Sequence, residues 1–299
     1  MSVFTAVRSR RRTASPYLLI APAAALVAVF LVYPVLTVFW ESLRRHNLTR
    51  PLDDGFAGLG NYRAMLADDV FWRSLRFTGQ WVLVEVSLQL VFGLTLALVL
   101  NRTFAGRGLA RALAFSPWAV SGILTTTIWL LLYNPSTGVG RYLADAGIGH
   151  YGTSPLAEEG TTFWALVLAE LWKGIPFFAI LILADLQSVP ADLYEAADVD
   201  GAGALRKFTA VTLPSIRYAV VLATLLRAVW EFNNVDLPYT LTAGGPAGST
   251  TTLPLYVAQT AIHDQDFGYG SALTVTAFAL LAVASLLYLR FTVTTREGQ

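Results

Sequence analysis

Charged side chains stand deep inside long apolar stretches of this chain, among them Glu85, Glu170, Lys173, Arg227 and Glu231. A charge within an apolar span is costly, so each needs a partner or a purpose. Glu170 and Lys173 lie three residues apart and Arg227 and Glu231 four apart, so each pair can meet on one helix face. In one reading each pair neutralises itself against neighbouring helices. In the other, Glu231 faces a polar cavity, because Trp230-Glu-Phe-Asn-Asn-Val-Asp236 is too polar to face lipid. Asn233, Asn234 and Asp236 supply donors and acceptors there, and Trp230, Phe232 and Tyr239 supply flat apolar faces. A sugar carries hydroxyls at its edge and C–H groups on its faces, and such a lining suits it. On a helix, Trp230 shares a face with Asn233 and Glu231 with Asn234, so one of the two stripes is expected to line a path. Glu85 and Gln89, four apart, form a further candidate pair.

This is chemistry for binding, not for bond breaking. The chain has no cysteine, which excludes disulfides, thiolate nucleophiles and Cys-based metal sites. His46, His150 and His263 are far apart, and no metal or other cofactor is expected. Gly-x4-Gly-Lys-Ser/Thr, His-Glu-x-x-His and Gly-x-Ser-x-Gly are all absent, and the lysines are Lys173 and Lys207 alone. The chain therefore lacks a phosphate-cradling loop for ATP, and energy must come from a partner or an ion gradient. A net charge of +1 gives no bulk attraction to nucleic acid.

The elements that must position these residues are membrane spans. Of 299 residues, 55% are hydrophobic and 14% charged, where a soluble domain carries about a quarter charged. Apolar runs predict six spans, near residues 17–40, 72–100, 112–133, 161–186, 218–240 and 267–289. The first follows Arg8, Arg10, Arg11 and Arg12 and is about 24 residues, roughly 36 Å as helix, long enough to cross a bilayer and longer than a signal peptide core. Pro22 and Pro34 are expected to kink it. Basic residues set the orientation. The N-terminal tail, the segment with Arg102, Arg107 and Arg111, the segment with Arg206, Lys207 and Arg217, and the tail with Arg290 and Arg296 fall on one side. Arg44, Arg45, Arg50 and Arg63 break the trend in the first opposite loop. The sum places both termini in the cytoplasm, with Tyr151 and Thr250 outside.

Between the fourth and fifth spans lies a polar stretch, about 187–216, built as helix, break and helix. Ser188 is expected to cap the first helix and Pro190 to open it. Gly201 and Gly203 break the pattern; Ala204 to Leu213 form the second helix, which Pro214 ends. Its spacing is Glu-Ala-Ala, three residues, Gly, nine residues, an aliphatic, one residue, Leu-Pro. It resembles the cytoplasmic loop of binding-protein-dependent ABC importer permeases. Glu195, Ala196, Ala197, Gly201, Leu213 and Pro214 match, and Val211 stands where isoleucine is commoner. Phe56-Ala-Gly-Leu-Gly-Asn-Tyr62, Trp172-Lys-Gly-Ile-Pro-Phe177, Leu186-Gln-Ser-Val-Pro190 and the segment from Phe232 to Gly244-Gly-Pro246 resemble the carbohydrate branch of that family. Val235 departs from its usual phenylalanine.

The resemblance implies an all-α polytopic fold of six spans, the type I ABC importer permease fold, with coupling helices that dock on an ATPase. The permease domain would cover 17–290, between cytoplasmic tails 1–16 and 291–299. Implied partners are a second homologous permease, two ABC ATPase subunits, an extracytoplasmic sugar-binding protein and the lipid bilayer. The chain itself would be a transport subunit of the bacterial inner membrane, not an enzyme. An ion-gradient-driven secondary transporter is the alternative. A membrane-embedded enzyme would need a convergent nucleophile, base or metal set, and none is evident.

Overall fold

The computed structural model describes residues 15–147, 152 and 154–293. The basic tail with Arg8 to Arg12, the positions His150 and Tyr151, and the last residues including Arg296 lie outside the described residues. Helices dominate. In order they are α1 (Ser15–Val27), α2 (Tyr33–Glu41), α3 (Gly60–Leu66), α4 (Asp69–Asn101), α5 (Arg107–Ala119), α6 (Gly122–Leu132), α7 (Val139–Asp145), α8 (Glu159–Leu186), α9 (Ala191–Val199), α10 (Ala204–Lys207), α11 (Leu213–Ser215), α12 (Arg217–Phe232), α13 (Asp236–Thr242), α14 (Leu253–Ala258) and α15 (Phe267–Val293). Strands β1 (Arg44–Arg45) and β2 (Gly55–Phe56) form one short antiparallel pair. Among the described residues four helices are long and apolar enough to cross a membrane, or up to six if each of two bent pairs counts as one span.

The chain divides into two compact units. One holds residues up to Met65 together with 260–276. Its apolar helix from Ile20 to Glu41 buries no side chain in its most apolar window, as suits a lipid-facing element. Helix α1 passes into α2 through a π-helical turn, Ala28–Val32, in which the Tyr33 amide bonds to the Ala28 carbonyl. That wider turn precedes Pro34, so the helix runs on through the expected kink. Asn61 donates to the Ser42 and Arg44 carbonyls, and Tyr62 to the Ser42 hydroxyl, which fastens the loop to the end of α2.

The other unit, residues 66–259 and 277 onwards, is built around α8. Helix α4 lies along α8 at very short range. A Cβ on Gly93 would collide with Phe178 Cβ and stand 3.0 Å from the Ile175 carbonyl; one on Gly174 would run into the Gln89 side chain. Small residues permit this approach, and in lipid such packing carries much of helix association. Val86, Ala97 and Leu100 of α4, Phe177, Phe178, Ile182 and Leu186 of α8 and Ala223 of α12 form one buried cluster. Trp81, Leu166, Ala169 and Leu171 join Leu237 and Leu241 of α13 in another.

Three elements depart from the sequence reading. The third span, expected as one run over 112–133, begins at Arg107 and bends by 96° between α5 and α6. Val120 and Ser121 are extended, and the Ser121 hydroxyl accepts from the Leu124 amide to start α6. Pro117 had already removed one bond from the ladder; the Ser116 hydroxyl donates to the Leu113 carbonyl instead. The fifth span, expected over 218–240, is helical only to Phe232. Pro238 cannot continue a ladder from Asn234, so the chain breaks at 233–235 and restarts as α13, with the Asn234 side chain accepting from the Leu237 amide.

The third departure is in the polar stretch. Ser188 does not cap α9: its hydroxyl donates back to the Asp185 carbonyl, and Pro190 takes the cap position itself. Gly201 follows the end of α9 with φ +69°, where glycine is favoured. The second helix does not end at Pro214. A π-helical turn at Phe208–Thr212 takes up the proline, and the chain bends by 66° at Ile216.

Candidate functional site

Two layers meet in the larger unit: a buried polar network and, over it, an open cavity. The network joins α4, α8 and α12. Arg227 Nη2 bonds Glu170 and Glu231, each at 2.6 Å, and its Nε donates to Gln89 Oε1 at 2.6 Å. Gln89 Nε2 donates to Glu85 at 2.9 Å and to Glu231 at 3.1 Å. Trp81 Nε1 and Asn234 Nδ2 donate to the other Glu231 oxygen, at 3.2 and 3.3 Å. Glu85 and Gln89 are 0% exposed and Glu231 is 1% exposed.

This arrangement changes the expected pairing. Arg227 and Glu231 do meet across one helical turn, but Glu170 pairs with Arg227 and not with Lys173. The reason is geometric. A planar guanidinium presents its donors in a rigid fork and here reaches Glu170, Glu231 and Gln89 together, whereas an ammonium is a compact point charge. Glu231, expected to face a polar cavity, is buried beneath one. Glu85 and Gln89 belong to the same network.

The cavity measures about 580 Å3, within the usual ~300–1,000 Å3 of small-molecule sites. Gly122, Thr125 and Thr126 of α6, Glu170 and Lys173 of α8, and Arg227 and Trp230 of α12 line it, with Asn233, Asn234 and Asp236 beyond. Trp230 and Asn233 of one stripe line it together, and of the other Asn234 does while Glu231 does not. The face argument holds only on a helix, and α12 has ended before Asn233. Tyr239 is exposed and takes no part in the wall. Trp230 packs on Phe177 with ring centroids 5.1 Å apart and keeps half its surface open. The α6 contribution was not foreseen; its signal was three consecutive threonines, 125–127, in an otherwise apolar run.

Such a cavity can bind a polar ligand through hydrogen bonds and one aromatic face. Among the described residues no group of three or more His, Asp or Glu side chains is placed to hold a metal ion.

The Glu195 stretch lies apart from this cavity. Glu195 and Ala196 are exposed on α9 and Ala197 is half-buried. Lys207 bonds Asp198 at 2.7 Å, and the Tyr194 and Thr212 hydroxyls meet at 3.0 Å, so the two helices flanking Gly201 are tied together. Four apolar side chains nevertheless face outward on them: Leu193, Val199, Leu205 and Leu213.

Comparison with known proteins bears on both regions. Residues 89–294 match the family model described as "Binding-protein-dependent transport system inner membrane component". The trehalose/maltose transport system permease protein MalF of Thermococcus litoralis is 39% identical over 277 residues, 92% of each chain. The trehalose transport system permease protein SugA of Mycobacterium tuberculosis is 37% identical, over 97% of this chain and 92% of that one. The sulfoquinovosyl glycerol transport system permease protein SmoG of Agrobacterium fabrum is 38% identical, over 91% and 88%. Among solved structures, a chain of a bacterial alginate ABC transporter, in complex with an alginate pentasaccharide-bound periplasmic protein, superposes with a TM-score of 0.83. It covers 95% of this chain and 96% of that one at 18% identity, a likeness of fold.

Proposed function

Because this chain belongs to the family of binding-protein-dependent transport system inner membrane components, we propose that it is the permease subunit of an ATP-driven carbohydrate importer and forms half of its translocation pathway. The observation that carries the sugar reading is the cavity. Its wall combines an open indole face with hydroxyl, amide and charged groups, as a polyhydroxylated ring requires. The relatives named for trehalose, maltose and sulfoquinovosyl glycerol support the same class.

In this reading the two bent helix pairs are each one span, giving six within a permease domain over 17–290. Both tails, 1–16 and 291–299, and the Glu195 stretch face the cytoplasm of a bacterial inner membrane. Helices α9 to α11 dock on one of two ATPase subunits. Glu195, Ala196, Ala197, Gly201, Leu213 and Pro214 form the coupling motif, and the outward Leu193, Val199 and Leu205 supply apolar contact. A second, homologous permease completes the pathway, and an extracytoplasmic binding protein delivers the sugar. ATP binding closes the ATPases, the docked helices follow, and the cavity changes the side to which it opens. Trp230, Asn233, Asn234 and Asp236 line the sugar path. Glu231 braces it from below through Arg227, and Tyr239 stands outside the cavity wall.

The test is reconstitution. The chain, co-purified with its ATPase and companion permease, is placed in liposomes with external binding protein and [14C]trehalose or [14C]maltose. Uptake is expected only with enclosed ATP. Uptake by this chain alone under a proton or sodium gradient would instead establish the secondary-transporter alternative.

A further inference from the structure

Gly122 is the first residue of α6 and part of the cavity wall. A Cβ built on it would meet Lys173 Nζ at 3.5 Å and Asp236 Oδ2 at 3.9 Å, with no other neighbouring heavy atom within 4 Å. An ammonium from α8 and a carboxylate from α13 therefore converge on one unfilled point over a bare Cα. Among the described residues neither makes a hydrogen bond or salt bridge, to the other or to any third group. The ammonium can only donate and the carboxylate only accept. A single group that satisfies both must accept and donate at once, which is what a hydroxyl does. Hydrogen bonds of about 2.8 Å through one hydroxyl, or through two on adjacent carbons, can bridge two such tips.

The charges of the wall point the same way. Lys173 and Arg227 are balanced by Glu170 and Asp236, and the guanidinium is already committed to Glu170 and Glu231. An anionic group drawn to Lys173 would lie against Asp236. We propose that Lys173 and Asp236, over Gly122, form a hydroxyl-clamping subsite that selects a neutral sugar over an anionic one. The proposal rests on the importer reading above and adds to it a position and a selectivity.

Gly122→Ala is the sharpest probe. The added methyl occupies the clamped point and meets nothing else, and alanine suits a helix better than glycine, so the fold is kept. In cells carrying their own complete importer, [14C]trehalose uptake is measured with sulfoquinovosyl glycerol as the anionic competitor. Gly122→Ala, Lys173→Met and Asp236→Asn are each expected to lower uptake about ten-fold or more, with the variants present in the complex at wild-type amounts. Because one ligand group bridges both tips, Lys173→Met/Asp236→Asn is expected to lose little beyond either single change. A pair of merely structural charges, not in contact, would add. Uptake within two-fold of wild type in all three single variants, while Trp230→Ala and Asn233→Ala are impaired, overturns the clamp and leaves the sugar path standing. Intact uptake in those two variants as well overturns the path itself. Wild-type preference for the anionic probe, or uptake of neither trehalose nor maltose, also overturns the proposal.

Discussion

Replacing Arg227 by methionine removes the cation that, among the described residues, is bonded into the buried network. Methionine keeps much of the volume, so the loss is electrostatic and not a cavity. Three contacts of 2.6 Å disappear: the ion pairs to Glu170 and Glu231 and the bond to Gln89. Glu231 is 1% and Glu170 5% exposed, so water reaches them poorly once the guanidinium is gone. Removing one side of a buried ion pair costs about 3–5 kcal/mol, because the remaining charge stays buried without compensation. With two carboxylates stranded here, the upper end of that range is expected. At roughly 2–4 °C per kcal/mol, the unfolding temperature should fall on the order of 10 °C. The absence of cysteine supplies the assay. Ala169→Cys places one thiol at a position 0% exposed, and its reaction with a fluorogenic maleimide on heating reports opening of this unit. Arg227→Lys should lie between, since an ammonium keeps the charge but lacks the planar fork that fits these acceptors. Arg227→Met combined with Glu170→Gln and Glu231→Gln should recover to within about 1–2 kcal/mol of wild type, since neither carboxylate that Arg227 held is then left as a buried lone charge. A single variant within about 1 kcal/mol of wild type, or a triple variant no better than the single, would refute the account.

Gly93→Ala forces a methyl into Phe178 and should destabilise by about 1–3 kcal/mol in the same assay; Gly79→Ala on the same helix meets nothing and should be neutral or slightly stabilising. Cysteines at Glu195 and at Ser136, both exposed, should react with an impermeant maleimide from the inside and outside respectively; Thr250, though expected outside, is 1% exposed and Ala247 is the better reporter there. Labelling of position 195 from outside intact cells would overturn the orientation. Gly201→Asp acts at φ +69° with open space around it, so within the chain it costs about 1 kcal/mol of backbone strain. It and Glu195→Ala should insert normally yet lose ATPase co-purification and stimulated ATP hydrolysis; full stimulation in both would remove the coupling role.

The long helices were legible because a span is written as composition. Hydropathy located α4, α8 and α15 to within a few residues of their expected ends. Gly201 was legible as a break because only backbone freedom explains glycine in that place. The network was not. Spacing rules concern neighbours on one helix, and they offered Glu170–Lys173 and Arg227–Glu231 as separate pairs. The bond from Arg227 to Glu170 crosses from α12 to α8 over 57 positions, and nothing in the local sequence marks it. Gly93 and Gly174, lone glycines deep in apolar helices, were the available sign that α4 and α8 touch there. The bend at Ser121 was likewise written, in a proline four residues before a serine-glycine step, but the apolar run on both sides concealed it. The cavity depends on both features, since the bend starts α6 at Gly122 and the break after Phe232 frees Asn233 to Asp236 from the helical register.

The fastening of three helices at Arg227 also divides the larger unit mechanically. A rotation of α12 against α8 would have to break the Arg227–Glu170 ion pair, both of whose side chains are less than a tenth exposed. The glycine seam between α4 and α8 resists sliding, because a shift of one residue would press side chains where only hydrogen atoms now fit. These three helices therefore behave as a keel. Displacement is expected where the long helices are already bent or broken, at Val120–Ser121, at Ile216 and at 233–235. Those joints border the cavity or connect α12 to the Glu195 stretch. Under the proposed function, strain applied at that stretch would reach the pocket wall by turning backbone at these hinges, while the centre of the bundle stays whole.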